Sequence, residues 1–174
     1  MSATICDIEE DKMRRRKRIV YLAGAIDDAA DRGLGWRKEF MIALAEIGVG
    51  AIIPNEKEEQ RLPSGLVSRL KAKKNLEKFR KLFRKHIMLP DLAAMDACDM
   101  VVVRWDGEAI AGTAHECGRA FMRGQPVLLV SPRPFSEVPN WLLACTEMEF
   151  HTLDALIDYL KEMKLAKKRK KMRE

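Results

Sequence analysis

This chain of 174 residues is short of the groups that hold metals and disulfides. Its three histidines, His86, His115 and His151, lie far apart with no HxxxH spacing, so no metal centre is expected. Its four cysteines, Cys6, Cys98, Cys117 and Cys145, show no CxxC pair and read as reduced thiols of a cytoplasmic protein. Apolar runs are short, and none approaches the ~18 residues that a membrane span requires. Met1 to Lys17 lacks the apolar stretch of a secretory signal. A complete GxGxxG is absent as well, so no dinucleotide cofactor, and no cofactor of any kind, is expected. Aromatic residues are 6% of the chain and do not interleave with its basic ends, so the stacking half of a single-strand binding surface is missing there.

Charge is plentiful instead, at 33% of residues with a net +6. The excess sits in Arg14–Arg18, in Arg69 to Lys85 and in Lys167–Lys171, and the remaining chain carries more acid than base. These segments read as solvated ends and one solvated helix face, with contact to nucleic acid the minor alternative. The length suits a single domain able to bury roughly 70% of its unfolded surface, so no staple is needed.

The apolar pattern alternates between two periods. Ile19–Ala23 is a buried strand ended by Gly24. Trp36 to Ile47 has Phe40, Ala43, Leu44 and Ile47 at helical spacing, and Gly48 stops it. Val49–Ile53 is a second strand, and Asn55 to Ser68 a polar loop. Arg69 to Lys85 is a basic helical excursion, and Met88 to Ala97 a helix in which Pro90 is tolerable only in the first turn. Asp99–Trp105 is the clearest strand, and its near-continuous hydrophobicity predicts a parallel strand covered on both faces. Thr113–Met122 is a helix, Pro126–Val130 a strand, and Pro132 to Asn140 a loop. Glu147–Phe150 is a short strand, and Thr152–Met163 an amphipathic helix.

Strands alternating with helices predict an α/β fold, a doubly wound (Rossmann- or flavodoxin-like) sheet of about five mainly parallel strands with helices on both faces. The domain runs from 18 to 163, with a basic insert near 55–85, an arm over 1–17 and a tail over 164–174. Ligands in such folds collect at the carboxyl ends of the strands near the switch in strand order, which points at the loops from Gly24, Trp105 and Ser131.

Three segments carry candidate chemistry. Gly112-Thr113-Ala114-His115-Glu116-Cys117-Gly118-Arg119-Ala120 combines glycines with a helix start, placing Glu116 in the first turn. Thr113-x-x-Glu116 is equally the pattern of a capping box, in which Glu116 only satisfies a backbone N–H. Tyr21-Leu22-Ala23-Gly24-Ala25-Ile26-Asp27 is a strand ending in a turn. Asp91 stands eight residues before Asp99 of the strongest strand, near a helix start where a carboxylate is expected on dipole grounds alone.

Together, Tyr-Leu-Ala-Gly, the two spaced aspartates and Gly-Thr-x-x-Glu-x-Gly-x-Ala followed by Gly124-Gln125-Pro126-Val127 resemble the nucleoside 2-deoxyribosyltransferase family, which includes 2′-deoxynucleoside 5′-monophosphate N-glycosidases. The resemblance covers residues 18 to 160 apart from the insert. It implies cleavage of the N-glycosidic bond of a nucleoside or nucleoside monophosphate. Glu116 falls on the nucleophile, Tyr21 on the tyrosine that positions it, and Asp91 on an acid near sugar and base. Gly24, Ala25 and Ile26 fall on the loop lining the base pocket. Ile110 departs from the family pattern, where transferases carry Asp and monophosphate hydrolases often Ser.

Asp27, Gly112 and Thr113 join the expected substrate-binding set, with Trp36 and Trp105 as stacking candidates whose commoner fate is packing. The helix N-terminus is expected to keep Glu116 ionised. The resemblance also implies at least a homodimer, with a small nucleoside or nucleotide as partner and no membrane. The alternatives are a module that binds nucleotide without turnover and a nucleic-acid-associated protein acting through its basic ends.

Overall fold

A computed structural model describes residues 17–26, 29, 31–54, 65–108 and 110–171, with the side chains of Val67 and of residues 164–171 left out. Residues 1–16, Asp27, Asp28 and most of the expected 55–68 loop therefore lie outside the described residues.

Five strands form one sheet: β1 (Ile19–Gly24), β2 (Gly50–Ile52), β3 (Met100–Arg104), β4 (Val127–Val130) and β5 (Met148–Phe150). The order is β2-β1-β3-β4-β5 and every pairing is parallel. The expected doubly wound sheet is present, and the chain reverses its direction of travel between β1 and β3, where Tyr21 pairs with Val101 and Gly24 with Arg104. The sheet begins where Asp99 Oδ2 accepts the Ile19 N–H at 2.7 Å.

Side chains alternate strictly across the strands. Tyr21, Ala23, Val101, Val103 and Leu129 face one core, closed by α4 (Leu89–Asp96), α5 (Ala111–Met122) and α6 (Asn140–Ala144). Val20, Leu22, Val102, Leu128 and Val130 face the other, closed by Phe40 and Leu44 of α1 (Leu34–Glu46) and by Leu156, Ile157 and Leu160 of α7 (Leu153–Lys171). Both faces of β3 are covered, which is why its sequence reads as an unbroken apolar run.

Three boundaries differ from the sequence expectation. The final helix continues to Lys171, past Met163. The short helix α6 occupies a stretch left unassigned between the proline-rich loop and β5. The basic excursion is two helices, α2 (Leu66–Ala72) and α3 (Leu76–Phe83). Lys74 turns the chain between them at φ 52°, and the Asn75 side chain caps α3 by accepting the Lys78 N–H at 3.2 Å. A π-helical stretch, Arg84–Met88, joins α3 to α4. It ends just before Pro90, whose ring would otherwise clash with the carbonyl four residues back.

Candidate active site

The site is built where β1 and β3 end. Tyr21, fully buried on β1, donates its phenolic proton to Oε1 of Glu116 on α5 at 2.8 Å. No capping box forms. The helix starts at Ala111, with Ile110 preceding it and no side-chain cap. Glu116 is therefore in the second turn of α5, where the field of the helix terminus has largely decayed. Its buried carboxyl bonds to a side chain of β1.

That position reverses the expectation that the carboxylate is held ionised. Burial pushes the Glu116 pKa up to about 7, opposed by the Tyr21 hydrogen bond, reinforced by the negative charge of Asp91 and opposed again by the positive charge of Arg37. Tyr21 stays protonated, its pKa raised by burial and by the carboxylate beside it. Asp91, in the first turn of α4, acts electrostatically on both Tyr21 and Glu116. Three segments far apart in sequence thus deliver Tyr21, Asp91 and Glu116 to one locus.

Sequence reasoning missed Arg37, which is fully buried on α1. Its guanidinium donates to the carbonyls of Leu22 (2.9 Å), Gly24 (2.9 Å) and Gly33 (2.8 Å), with a longer contact to Ala25 at 3.4 Å. It pins the turn that follows β1. Burial lowers its pKa to about 10, still well above neutrality, so it remains a cation. The available signal was a charge at the apolar spacing of Phe40 and Leu44.

Glycine is required at two points of this turn. Gly24 lies so close to β3 that a Cβ would approach the Arg104 carbonyl oxygen to 2.9 Å. Gly33 has φ 66°, and a Cβ there would run into the Arg37 guanidinium. Asp31 then starts α1 by accepting the N–H groups of Gly33 at 2.8 Å and Gly35 at 2.6 Å.

A cleft of about 130 Å³ opens at this strand switch, lined by Ala25, Asp31, Trp36, Arg104, Asp106 and Glu108 among others. This is smaller than the ~300 Å³ or more of a complete ligand pocket, so it suits one end of a ligand. Trp36 borders it with its ring flanked by two guanidinium groups, Arg37 at 4.8 Å and Arg104 at 5.8 Å. Ala25 lines the cleft, and Ile26 is half-buried beside it. Glu116 lies on the other side of β1, with the α4–α5 core. Arg37 spans the two sides, since its charge reaches both Glu116 and Tyr21.

Other candidates are placed differently. Trp105 is a core residue with 6% exposure, its indole N–H donating to the Glu108 carbonyl at 3.1 Å, so its ring is not open to a stacking base. Thr113 is buried, whereas Gly112 is exposed at the start of α5. Asp27 lies outside the described residues. Arg119 is tied to Asp96 through both carboxylate oxygens and locks α5 to α4, and Arg104 pairs with Asp106 at 2.8 Å. Gln125 of the Gly-Gln-Pro-Val segment donates to the carbonyls of Met95 and Cys98, fastening the end of α4. Cys117 is buried, and burial raises its thiol pKa, so it has no thiolate to offer.

The family profile described as nucleoside 2-deoxyribosyltransferase matches residues 20–156. Solved structures share the fold, and two of them illustrate it. One is the 2-deoxyribosyltransferase of the psychrotolerant bacterium Bacillus psychrosaccharolyticus, 20% identical, covering 81% of this chain and 91% of its own, with a TM-score of 0.59. The other is a conserved protein from Enterococcus faecalis V583, 18% identical, covering 85% of this chain and 99% of its own, with a TM-score of 0.61. No curated protein matches the sequence. The matched span takes in β1, α4, α5 and every residue of the Tyr21–Asp91–Glu116 locus, and the chain belongs to the nucleoside 2-deoxyribosyltransferase family.

Proposed function

We propose that this protein cleaves the N-glycosidic bond of a nucleoside or nucleoside 5′-monophosphate, with Glu116 as nucleophile. The observation that carries the reading is the Glu116 carboxyl held by the Tyr21 hydroxyl at 2.8 Å, on the face of β1 that α5 covers. A substrate lying across Gly24, Ala25 and Ile26 reaches both Glu116 and the Trp36 cleft. Gly112 and Thr113, where α5 begins, border the sugar.

Ionised Glu116 attacks C1′ of the sugar from below. An O–C1′ bond forms as the C1′–N bond breaks, and its electron pair leaves with the base. Asp91 supplies the hydrogen bond or proton that the departing nitrogen needs. Tyr21 remains protonated and holds the carboxylate on the line of attack. The glycosyl ester is then opened at C1′ by water, which gives the free sugar, or by the nitrogen of a second base, which gives a new nucleoside. In both cases Glu116 is regenerated as a carboxylate, and the attacking group gives up one proton.

The site as proposed is completed by a second copy of the chain. Phe121 and Met122 at the end of α5 and Trp141 on α6 are exposed at 57%, 82% and 70%, an apolar surface next to the catalytic helix that supports association.

Chromatography of incubations with a panel of nucleosides and monophosphates, ribo and deoxy, tests the reading. Free base is expected from at least one member, and Glu116→Ala is expected to abolish it. Addition of a second base separates transfer from hydrolysis. Unchanged turnover in Glu116→Ala would remove Glu116 from the mechanism.

A further inference from the structure

The basic excursion has no part in the chemistry above, yet it carries the largest share of the positive charge. The stretch 66–89 carries nine lysines and arginines and one glutamate, a net +8 in a chain whose total is +6. The remainder is net acidic as a whole, even though it includes the basic runs Arg14–Arg18 and Lys167–Lys171, so this stretch is the largest single source of positive charge.

These cations also differ from four arginines elsewhere on the surface. Arg104, Arg119, Arg123 and Arg133 each have a carboxylate within ion-pair distance. Among the described residues, none of the nine cations of the excursion has one. Lys71 lies over the Phe79 ring at 5.4 Å, and among the described residues the other eight have no side-chain partner. Such a concentration of like charge is disfavoured unless a counter-charge arrives.

The geometry gives the charge a direction. Arg80, Lys81, Arg84 and Lys85 are exposed, recur at helical spacing and line one open groove with Glu77 and Leu89. The aromatic side of α3 is turned the other way and partly covered, with Leu76 left exposed at its start. Phe79 and Phe83 pack on each other with ring centroids 5.4 Å apart and are half-buried, and Ile87 is buried. An anionic membrane would need that aromatic side outward to insert, so it fits poorly. A phosphodiester backbone needs only the outward cations. Four charges spread over five residue steps of helix span about 7.5 Å, a mean axial spacing of roughly 2.5 Å. Duplex DNA carries about one negative charge per 1.7 Å.

We propose that the outward face of α3 and the π-helical stretch after it, carrying Arg80, Lys81, Arg84 and Lys85, binds the phosphate backbone of a nucleic acid without reading its sequence. This surface is distinct from the Tyr21–Glu116 locus, and its occupation does not depend on glycosidic chemistry.

The test uses the full chain and short labelled duplexes of two unrelated sequences, with fluorescence anisotropy read from about 50 to about 200 mM salt. Four phosphate contacts predict a log–log slope of about −3.6, a loss of roughly 100-fold over that range, equal for both sequences. Replacing all four cations by glutamine (R80Q, K81Q, R84Q, K85Q) keeps good helix formers on an exposed face. The variant is expected to retain its far-ultraviolet circular dichroism and any base release, to bind at least about 10-fold more weakly at low salt, and to show a slope shallower by about 3.6. E116Q is expected to bind like the parent, which separates this surface from the catalytic reading. A glutamine variant that binds like the parent would place binding on the basic chain ends and overturn the proposal. So would binding to anionic phosphatidylserine vesicles with none to the duplexes, or no binding to either.

Discussion

The hydroxyl of Tyr21 on β1 and the carboxyl of Glu116 on α5, 95 positions apart in sequence, meet in a 2.8 Å hydrogen bond where the parallel sheet switches direction. The bond lowers the Glu116 pKa, whereas burial raises it, and burial wins to leave the group near 7. Activity and stability therefore both depend on pH through one side chain.

A nucleophilic carboxylate reacts only when ionised. The rate, as kcat/KM for base release, is expected to rise tenfold per pH unit on the acid side and to level off above about pH 7. A profile already flat at pH 5 would mean that Glu116 is ionised far below the value its burial dictates.

Stability runs the other way. The folded pKa of about 7 exceeds the ordinary 4.5, so between those values the folded state holds more proton than the unfolded chain. The unfolding free energy contributed by Glu116 is highest below about pH 4.5 and falls as pH rises to about 7, a loss of roughly 3 kcal/mol at most. Glu116→Gln, which keeps an acceptor for Tyr21, is expected to be inactive and yet more stable than the parent at pH 8 by up to roughly 3 kcal/mol. Urea denaturation at pH 4.5 and pH 8 checks this, since the gain is expected to disappear at the lower pH.

Tyr21→Phe removes the donor and leaves the carboxylate buried. A hydrogen bond to a charged group contributes about 1.5–3 kcal/mol, so the acid limb of the rate profile is expected to move up by roughly one to two pH units. The plateau at high pH is expected to fall less than the rate at pH 6. A uniform drop at every pH would assign Tyr21 to packing alone.

Arg37 donates to three carbonyls within 3 Å. Arg37→Met is expected to cost about 3 kcal/mol or more and to move the acid limb upward, because it orphans those acceptors and removes a cation that favours ionised Glu116. Arg37→Lys is expected to restore part of the pH profile and little of the Tm, since one ammonium cannot reproduce the guanidinium fork. Thermal unfolding and pH–rate measurements separate the two contributions.

What the sequence could reveal followed the range of each interaction. β3 and β4 were legible because both faces are buried, so every position from Met100 to Val103 and from Val127 to Val130 is apolar. The break between α2 and α3 was not, because Lys74 adopts a left-handed turn with no glycine to announce it. α6 follows Pro139 and is only five residues long, too short for periodicity to register. Glu116 was found through the motif around it, but its turn was misplaced, since a Thr-x-x-Glu capping pattern suggested a helix start two residues late. Arg37 left almost no trace, because three of its four acceptors are backbone carbonyls 12 to 15 positions away, and carbonyls look alike in every sequence.

The covalent step is the centre of the account, and mass spectrometry of acid-quenched protein reaches it directly. After incubation with a nucleoside that releases base, the peptide containing Glu116 is expected to gain one glycosyl unit, lost again on treatment with neutral hydroxylamine and absent in Glu116→Gln. Base release at full rate with the glycosyl unit on another residue, or with the label persisting in Glu116→Gln, would contradict it.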